Sequence, residues 1–322
     1  MKKYKILHTE AKDYCHESRV ILDSCGQVDY FDIGRAGILE RIADYDVLIV
    51  RLRNKVDKGI LEKGKRLKFI ATATTGTNHI DEKLASQKGI RVVSLKGETR
   101  FLSGVYSTAE HTVGLMLALL RFIPAACKDV TGGSWQNEIF RGHELHGKCL
   151  GIIGYGRLGK MVAKIALSFG MKVFAYDTDK TVYFPQGVHK VALDSLLAQA
   201  DIVTIHIPLN KGNENFMNQS KLKKLKEGAY LINTSRGDVL DEKALLTLLK
   251  RKHLAGTALD VLKGEEKPGF RLKTNALVQY AQKNNNLIIT PHIGGAAIEA
   301  VNKTDVFIAR KLKGELLRYV KK

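Results

Sequence analysis

The stretch Leu150-Gly151-Ile152-Ile153-Gly154-Tyr155-Gly156-Arg157-Leu158-Gly159 constrains this chain more than any other. An apolar run of strand character enters a glycine-rich turn, and a helical pattern leaves it and continues to residue 169. A bare GxGxxG is a weak signal. Between a strand and a helix it is the fingerprint of a dinucleotide site. Gly154 permits the tight turn, Gly156 lets the backbone approach a pyrophosphate, and Gly159 lets helix and strand pack closely. The helix start offers free N–H groups and the positive end of its dipole to the phosphates. Arg157 adds a charge-assisted contact. Asp177 ends the next strand pattern, Lys172-Val173-Phe174-Ala175-Tyr176, 18 residues after Gly159. A carboxylate there accepts hydrogen bonds from the adenosine ribose and repels a 2′-phosphate, which predicts NAD over NADP.

The rest of the chain alternates in the same way. Strand patterns over 4–9, 28–31, 46–52, 67–73 and 90–95 are separated by helical patterns over 15–24, 37–43, 57–63 and 81–88. A long helix follows over 107–122, with Val113, Met116, Leu117 and Leu120 at helical spacing and Pro124 after its end. A second series then runs through strands 149–153, 172–176, 202–207, 229–233, 256–260 and 287–290. Its helices are expected over 194–198, 219–226 and 242–250, with a closing helix over 296–317 that has an interruption. Strand–helix alternation means parallel strands joined by crossover helices. Two series predict two doubly wound α/β domains, and 322 residues suffice for both. With no Pro- or Ser-rich linker between them, the two long helices are the expected crossings, which makes the first domain discontinuous.

Charge is the one unusual bulk property: 52 Lys and Arg against 33 Asp and Glu give +19. Such a field attracts anions of every kind. The basic residues are spread out, with modest clusters at 221–226, 250–252 and 310–322, each on or beside a predicted helix. They read as a solvated Lys-rich surface, and nucleic acid is not an expected main partner. The longest apolar stretch, 112–120, is far short of the roughly 20 residues of a spanning helix. The N-terminus lacks a signal-peptide core. Cys15, Cys25, Cys127 and Cys149 form no CxxC pair and suit a reducing cytoplasm, with no metal site expected.

Three more groups follow strand patterns, where open α/β sheets face their ligands. In Asn233-Thr234-Ser235-Arg236-Gly237-Asp238-Val239-Leu240-Asp241, a turn leads to a helix capped by Asp241. The planar fork of Arg236 is the natural partner of a substrate carboxylate. In Ala258-Leu259-Asp260-Val261, Glu265 follows five residues after Asp260. In Thr290-Pro291-His292-Ile293-Gly294-Gly295, His292 stands before a Gly-Gly pair and a helix, placed to shuttle a proton. Glu265 can orient its ring. Taken singly, a turn arginine is more often a surface charge and a lone histidine a structural one.

Together these residues resemble the D-isomer-specific 2-hydroxyacid dehydrogenases, over nearly the whole chain and most densely from Gly154 to Gly295. The resemblance implies an NAD-binding Rossmann domain, 105–292, inserted into a discontinuous flavodoxin-like substrate domain, 1–104 with 293–322. It implies Arg236 as the carboxylate-binding residue, Glu265 as the orienting acid and His292 as the acid/base. It places Tyr155, Gly156, Arg157, Leu158, Gly159 and Asp177 on the dinucleotide. His206 and Pro208 fall beside the adenosine half, Thr234 and Arg236 towards the nicotinamide ribose, and His292 is also among the cofactor neighbours. Asp260 becomes the carboxamide acceptor, and Gly295 lies near the nicotinamide. Family members are usually homodimers joined through the cofactor domains.

The substrate is expected to be a small 2-oxo or 2-hydroxy acid. Thr74-Thr75-Gly76-Thr77-Asn78-His79-Ile80-Asp81 resembles the family's substrate loop, so Thr75 and Gly76 would grip the carboxylate or hydroxyl through backbone N–H groups. The Gly-Thr-Asn form is similar to the phosphoglycerate dehydrogenase branch, whose substrate-side arginines match Arg51 and Arg53. The loop Leu95-Lys96-Gly97-Glu98-Thr99-Arg100-Phe101-Leu102 departs from the family, having neither its Asn nor its Pro. No C-terminal regulatory domain is expected after the closing helix. The alternatives are a glyoxylate or hydroxypyruvate reductase and, in another class, an NAD-sensing corepressor-like interaction protein on the same scaffold.

Overall fold

The computed structural model describes residues 4–266 and 270–320. The chain divides into two compact units, 1–105 with 296–322, and 106–295. The ends of the expected substrate domain and of the 310–322 basic run, residues 1–3 and 321–322, lie outside the described residues.

The first unit holds five strands: β1 (Tyr4–His8), β2 (Gly26–Tyr30), β3 (Val47–Val50), β4 (Phe69–Thr72) and β5 (Arg91–Val93). They form one parallel sheet in the order β2-β1-β3-β4-β5. That is the flavodoxin-like order, reversing between β1 and β3. Every residue of Val47-Leu48-Ile49-Val50 is buried, because helices cover both faces of such a sheet. Asp57 and Asp81 start two of these helices by accepting from the Ile60 and Leu84 N–H groups. The helix Ile298–Val320 brings Ile308, Ala309, Leu312 and Leu316 into one core with Tyr4, Ile6, Val47 and Phe69. The Tyr4 hydroxyl donates to the Leu316 carbonyl at 3.1 Å, and the buried Asp305 carboxylate pairs with Arg51.

The second unit holds seven strands: β6 (Cys149–Ile153), β7 (Lys172–Tyr176), β8 (Val188–Lys190), β9 (Ile202–Ile205), β10 (Ala229–Asn233), β11 (Leu254–Leu259) and β12 (Leu287–Ile289). The order is β12-β11-β10-β9-β6-β7-β8, all parallel, with its switch point between β6 and β9. This is the doubly wound dinucleotide-binding arrangement. Two apolar cores flank the sheet, one of them closed by Ala109, Leu115, Met116 and Leu119 of the helix Ser107–Leu120.

Several elements differ from expectation. The 219–226 helix stops at Leu222, because the Lys226 N–H turns away to the Leu197 carbonyl. Pro124 ends one helix and also starts another: after Phe122 at φ +52°, Ile123–Thr131 is helical with proline in its first turn. The edge strand Val188–Lys190 and the helix Ala276–Ala281 are too short for a periodic signal. The C-terminal helix runs without interruption.

Candidate active site

Within the second unit, the expected ligand residues follow the C-terminal ends of β6, β7, β9, β10, β11 and β12. After β6, Gly154 sits at φ +93°, and a Cβ there would lie 2.7 Å from the His206 carbonyl oxygen. A Cβ on Gly159 would meet the Gly154 oxygen at 2.2 Å. At Gly156 it would meet nothing, so the backbone stays open to an approaching group. Gly156 caps the helix Arg157–Ser168 without a side chain, leaving the first-turn N–H groups for an anion. Burial lowers the pKa of the Arg157 guanidinium beside that turn. Leu158 is half-buried in the first turn of the same helix and packs against the core. These residues fit a dinucleotide pyrophosphate. Asp177 is half-exposed at the end of β7. Its oxygens accept the Tyr155 and Asp179 N–H groups at 2.7 and 2.9 Å and keep lone pairs for a ribose.

Other expected cofactor neighbours carry a second task. The Tyr155 ring is buried and stacked on Phe184 at 4.8 Å, so only its main chain faces the turn. The Thr234 hydroxyl is tied to that of Thr112 at 2.8 Å. His206 bonds the Thr204 hydroxyl through Nε2 at 2.9 Å, and burial lowers its pKa to about 4, so the ring is neutral. Pro208 is exposed and accepts from Asn213.

The loop after β10 is shaped by Asn233, whose Oδ1 takes the Ser235 N–H and hydroxyl and whose Nδ2 donates to the Arg236 carbonyl. Gly237 is obligatory, since a Cβ would fall 2.1 Å from Leu262. Arg236 is half-buried. One of its nitrogens donates to the Ser235 carbonyl at 2.7 Å, and the rest of its fork has no partner among the described residues.

Glu265 and His292 meet. Glu265 Oε1 lies 2.5 Å from His292 Nδ1, while Oε2 accepts the Leu262 N–H at 2.9 Å. The neighbouring Lys263 and Gly264 N–H groups are held by Glu242 and Asp238, which fixes the acid's loop. With Nδ1 engaged, His292 Nε2 is the nitrogen left for a substrate.

Asp260 also has a task within the chain. Its side chain is 1% exposed and serves the chain itself. Oδ1 takes the Thr290 hydroxyl at 2.6 Å and the Ile293 N–H at 2.9 Å, and Oδ2 takes the Gly294 N–H at 2.8 Å. His111 Nε2 stands 3.2 Å from Oδ1 and 3.1 Å from the Thr290 hydroxyl. Asp260 thus holds the turn that carries His292. His111 was missed in the sequence because nothing near it along the chain hints at a ligand. A Cβ on Gly295 would meet nothing.

In the first unit, the loop after β4 leaves the N–H groups of Thr75, Gly76, Thr77 and Asn78 without acceptors among the described residues. Thr74 accounts for the Gly76 carbonyl at 2.7 Å. The two arginines after β3 are already paired. Arg51 is held by Asp305, and Arg53 donates to Asp32 at 2.5 Å and to the Thr9 carbonyl at 3.2 Å. Among the described residues no cluster of His, Cys, Asp and Glu could hold a metal, and no helix is long and apolar enough to cross a membrane.

Residues 113–294 match the family described as D-isomer specific 2-hydroxyacid dehydrogenase, NAD binding domain. The chain belongs to the D-isomer-specific 2-hydroxyacid dehydrogenases, and its second unit carries their NAD-binding domain. It is 37% identical to the D-3-phosphoglycerate dehydrogenase of Methanocaldococcus jannaschii, over 98% of this chain and 59% of that protein. It is 36% identical to the hydroxypyruvate reductase of Thermotoga maritima, over 87% of each. The fold matches the D-lactate dehydrogenase of Aquifex aeolicus, solved with NAD and lactic acid, with TM-score 0.83 at 26% identity over 98% and 96% of the two chains. The chain spans little more than half the length of that phosphoglycerate dehydrogenase.

Proposed function

We propose that the protein is an NAD-dependent oxidoreductase that interconverts a D-2-hydroxy acid and its 2-oxo acid. The observation that carries this reading is the Glu265–His292 pair, 2.5 Å apart, on the same strand-end edge as the unspent fork of Arg236. NAD, when bound, supplies or accepts the hydride. In the reducing direction Arg236 holds the substrate carboxylate through paired N–H donors. In the first unit, the open N–H groups around Thr75 and Gly76 suit a carboxylate or hydroxyl oxygen. His292 gives its Nε2 proton to the carbonyl oxygen, and Glu265 stabilises the charged ring and fixes its orientation. In the oxidising direction the neutral ring takes that proton from the hydroxyl.

The likeness to phosphoglycerate dehydrogenases supports a phosphorylated substrate, with Arg53 reading the phosphate. A second reading has an observation of its own. Both strand-end arginines already carry carboxylate partners, which favours an uncharged tail such as that of hydroxypyruvate or glyoxylate. The homodimer implied by the family would cover Ile123, Val130, Trp135 and Ile139, which stand exposed on the second unit.

The test is NADH oxidation with phosphohydroxypyruvate, hydroxypyruvate, glyoxylate and pyruvate. His292→Ala should lower kcat in both directions by on the order of 10²–10⁴ while NADH still binds. Tight NADH binding with no turnover of any 2-oxo acid would overturn the enzyme reading in favour of an NAD-sensing scaffold. Arg53→Ala separates the two substrate readings, since it should penalise only a phosphorylated acid.

A further inference from the structure

The ligand residues of the second unit all follow the strands. The opposite edge of the same sheet, where the strands begin, has another chemistry. Lys148 and Lys172 stand at the starts of β6 and β7, joined by the Lys172 N–H to the Lys148 carbonyl at 2.9 Å. Next along the sheet comes Asp201, before β9, which accepts the Cys149 N–H at 2.8 Å and Lys226 Nζ at 2.7 Å. Before β10 and β11, the Gly228 N–H donates to the His253 carbonyl at 2.8 Å, and His253 Nε2 lies 2.9 Å from the Leu225 carbonyl. Those bonds fasten the 221–226 basic run to Lys250, Arg251 and Lys252. Two clusters that are separate in sequence become one row.

Neighbouring strands lie about 4.8 Å apart, so the four steps from β7 to β11 span about 19 Å. The acids along this edge are few. Asp194 and Asp201 are taken up by Lys224 and Lys226, and the exposed Glu144 and Glu227 stand along the same edge. Lys172, Lys250, Arg251 and Lys252 are exposed and have no carboxylate partner among the described residues. We propose that this edge is a docking surface for the phosphate backbone of a nucleic acid, bound without sequence preference. A duplex presents one negative charge per about 1.7 Å, or about eleven over the length of the row. Protein interfaces deplete lysine and need an apolar centre. Among the described residues this edge offers only Phe169 as an exposed large apolar side chain near Lys172. A diffuse lysine row suits regularly spaced phosphates better than a folded acidic protein.

The proposal is independent of the catalytic reading, since it is tested by binding alone. The full chain is titrated into a fluorescein-labelled mixed-sequence DNA duplex of about 20 base pairs, read by anisotropy at salt between about 50 and 200 mM. Binding should weaken steeply with salt, each phosphate contact adding about −0.9 to the log–log slope. The triple variant K250E/R251E/K252E should reduce that slope by about 2.7 and raise Kd more than about tenfold, with NADH affinity unchanged. The neutral K250Q/R251Q/K252Q should fall between, and it decides the matter if charge reversal prevents folding. Three results would overturn the proposal. One is no salt-dependent binding by the unmutated chain. Another is variants that bind like it. The third is poly-glutamate binding as tightly as the duplex, which would point to an acidic protein instead.

Discussion

His292 sits at φ +54°, in the left-handed region that few residues other than glycine occupy. Its N–H bonds to the Asp260 and Thr290 carbonyls, and the Asp260 carboxylate takes the N–H groups of the next two residues. The strain, on the order of 1–3 kcal/mol, is carried by that buried carboxylate. Two substitutions should therefore fail differently. Asp260→Asn turns an acceptor into a donor facing an N–H group, and should lower stability by about 1–3 kcal/mol, visible as a drop in Tm. Arg236→Lys should leave Tm alone, yet cost on the order of 1.5–3 kcal/mol in kcat/KM by losing the bidentate fork. An Arg236→Lys enzyme with unchanged kcat/KM would remove Arg236 from substrate binding. The pairing of Glu265 with His292 was legible in the sequence, because each stands just beyond a strand end. The second tasks of Asp260, Thr234 and Tyr155 were not. Their partners, Gly294, Thr112 and Phe184, are remote in sequence, and spacing says nothing about which side-chain atoms are already taken.

Elements were legible where a parallel sheet buries whole apolar runs, as at Val47–Val50 and Ala229–Asn233. They were obscure where a few residues are held by tertiary contacts alone, as at Val188–Lys190. The helix Ile298–Val320 shows what a sequence cannot announce, an ionisable group turned inward. Asp305 is 1% exposed, and burial raises its pKa to about 6 even though Arg51 beside it pulls the other way. An unfolded chain holds the same proton with a pKa of about 3.9. The folded state therefore binds the proton more tightly. This group favours the fold at low pH, and its contribution weakens as pH rises from about 4 to about 6. The stability of the unmutated protein relative to Asp305→Asn should fall by on the order of 2–3 kcal/mol between pH 4 and pH 7. Denaturant unfolding at several pH values measures it, and a difference that stays flat or rises with pH would show that the carboxylate is ionised throughout.

At the scale of the whole molecule, the second unit is continuous in sequence and carries its own two cores, whereas the first is assembled from both ends of the chain. A fragment covering 106–295 should remain folded and quench or shift NADH fluorescence on binding, without turning over any 2-oxo acid. If that fragment is unfolded, the two units depend on each other for stability. The C-terminal helix adds a consequence in time. Ile308, Ala309, Leu312 and Leu316 complete a core begun by Tyr4 and Ile6, so the opening strand leaves the ribosome about 300 residues before the helix that covers it. At elongation rates of about 5–20 residues per second, that wait lasts on the order of 15–60 s. Throughout it, one face of the five-stranded sheet lacks the part of its cover that this helix supplies, while the inserted unit is synthesised and can fold. The nascent first unit is thus the stretch of this protein with most need of a chaperone, and the last to become resistant to proteases.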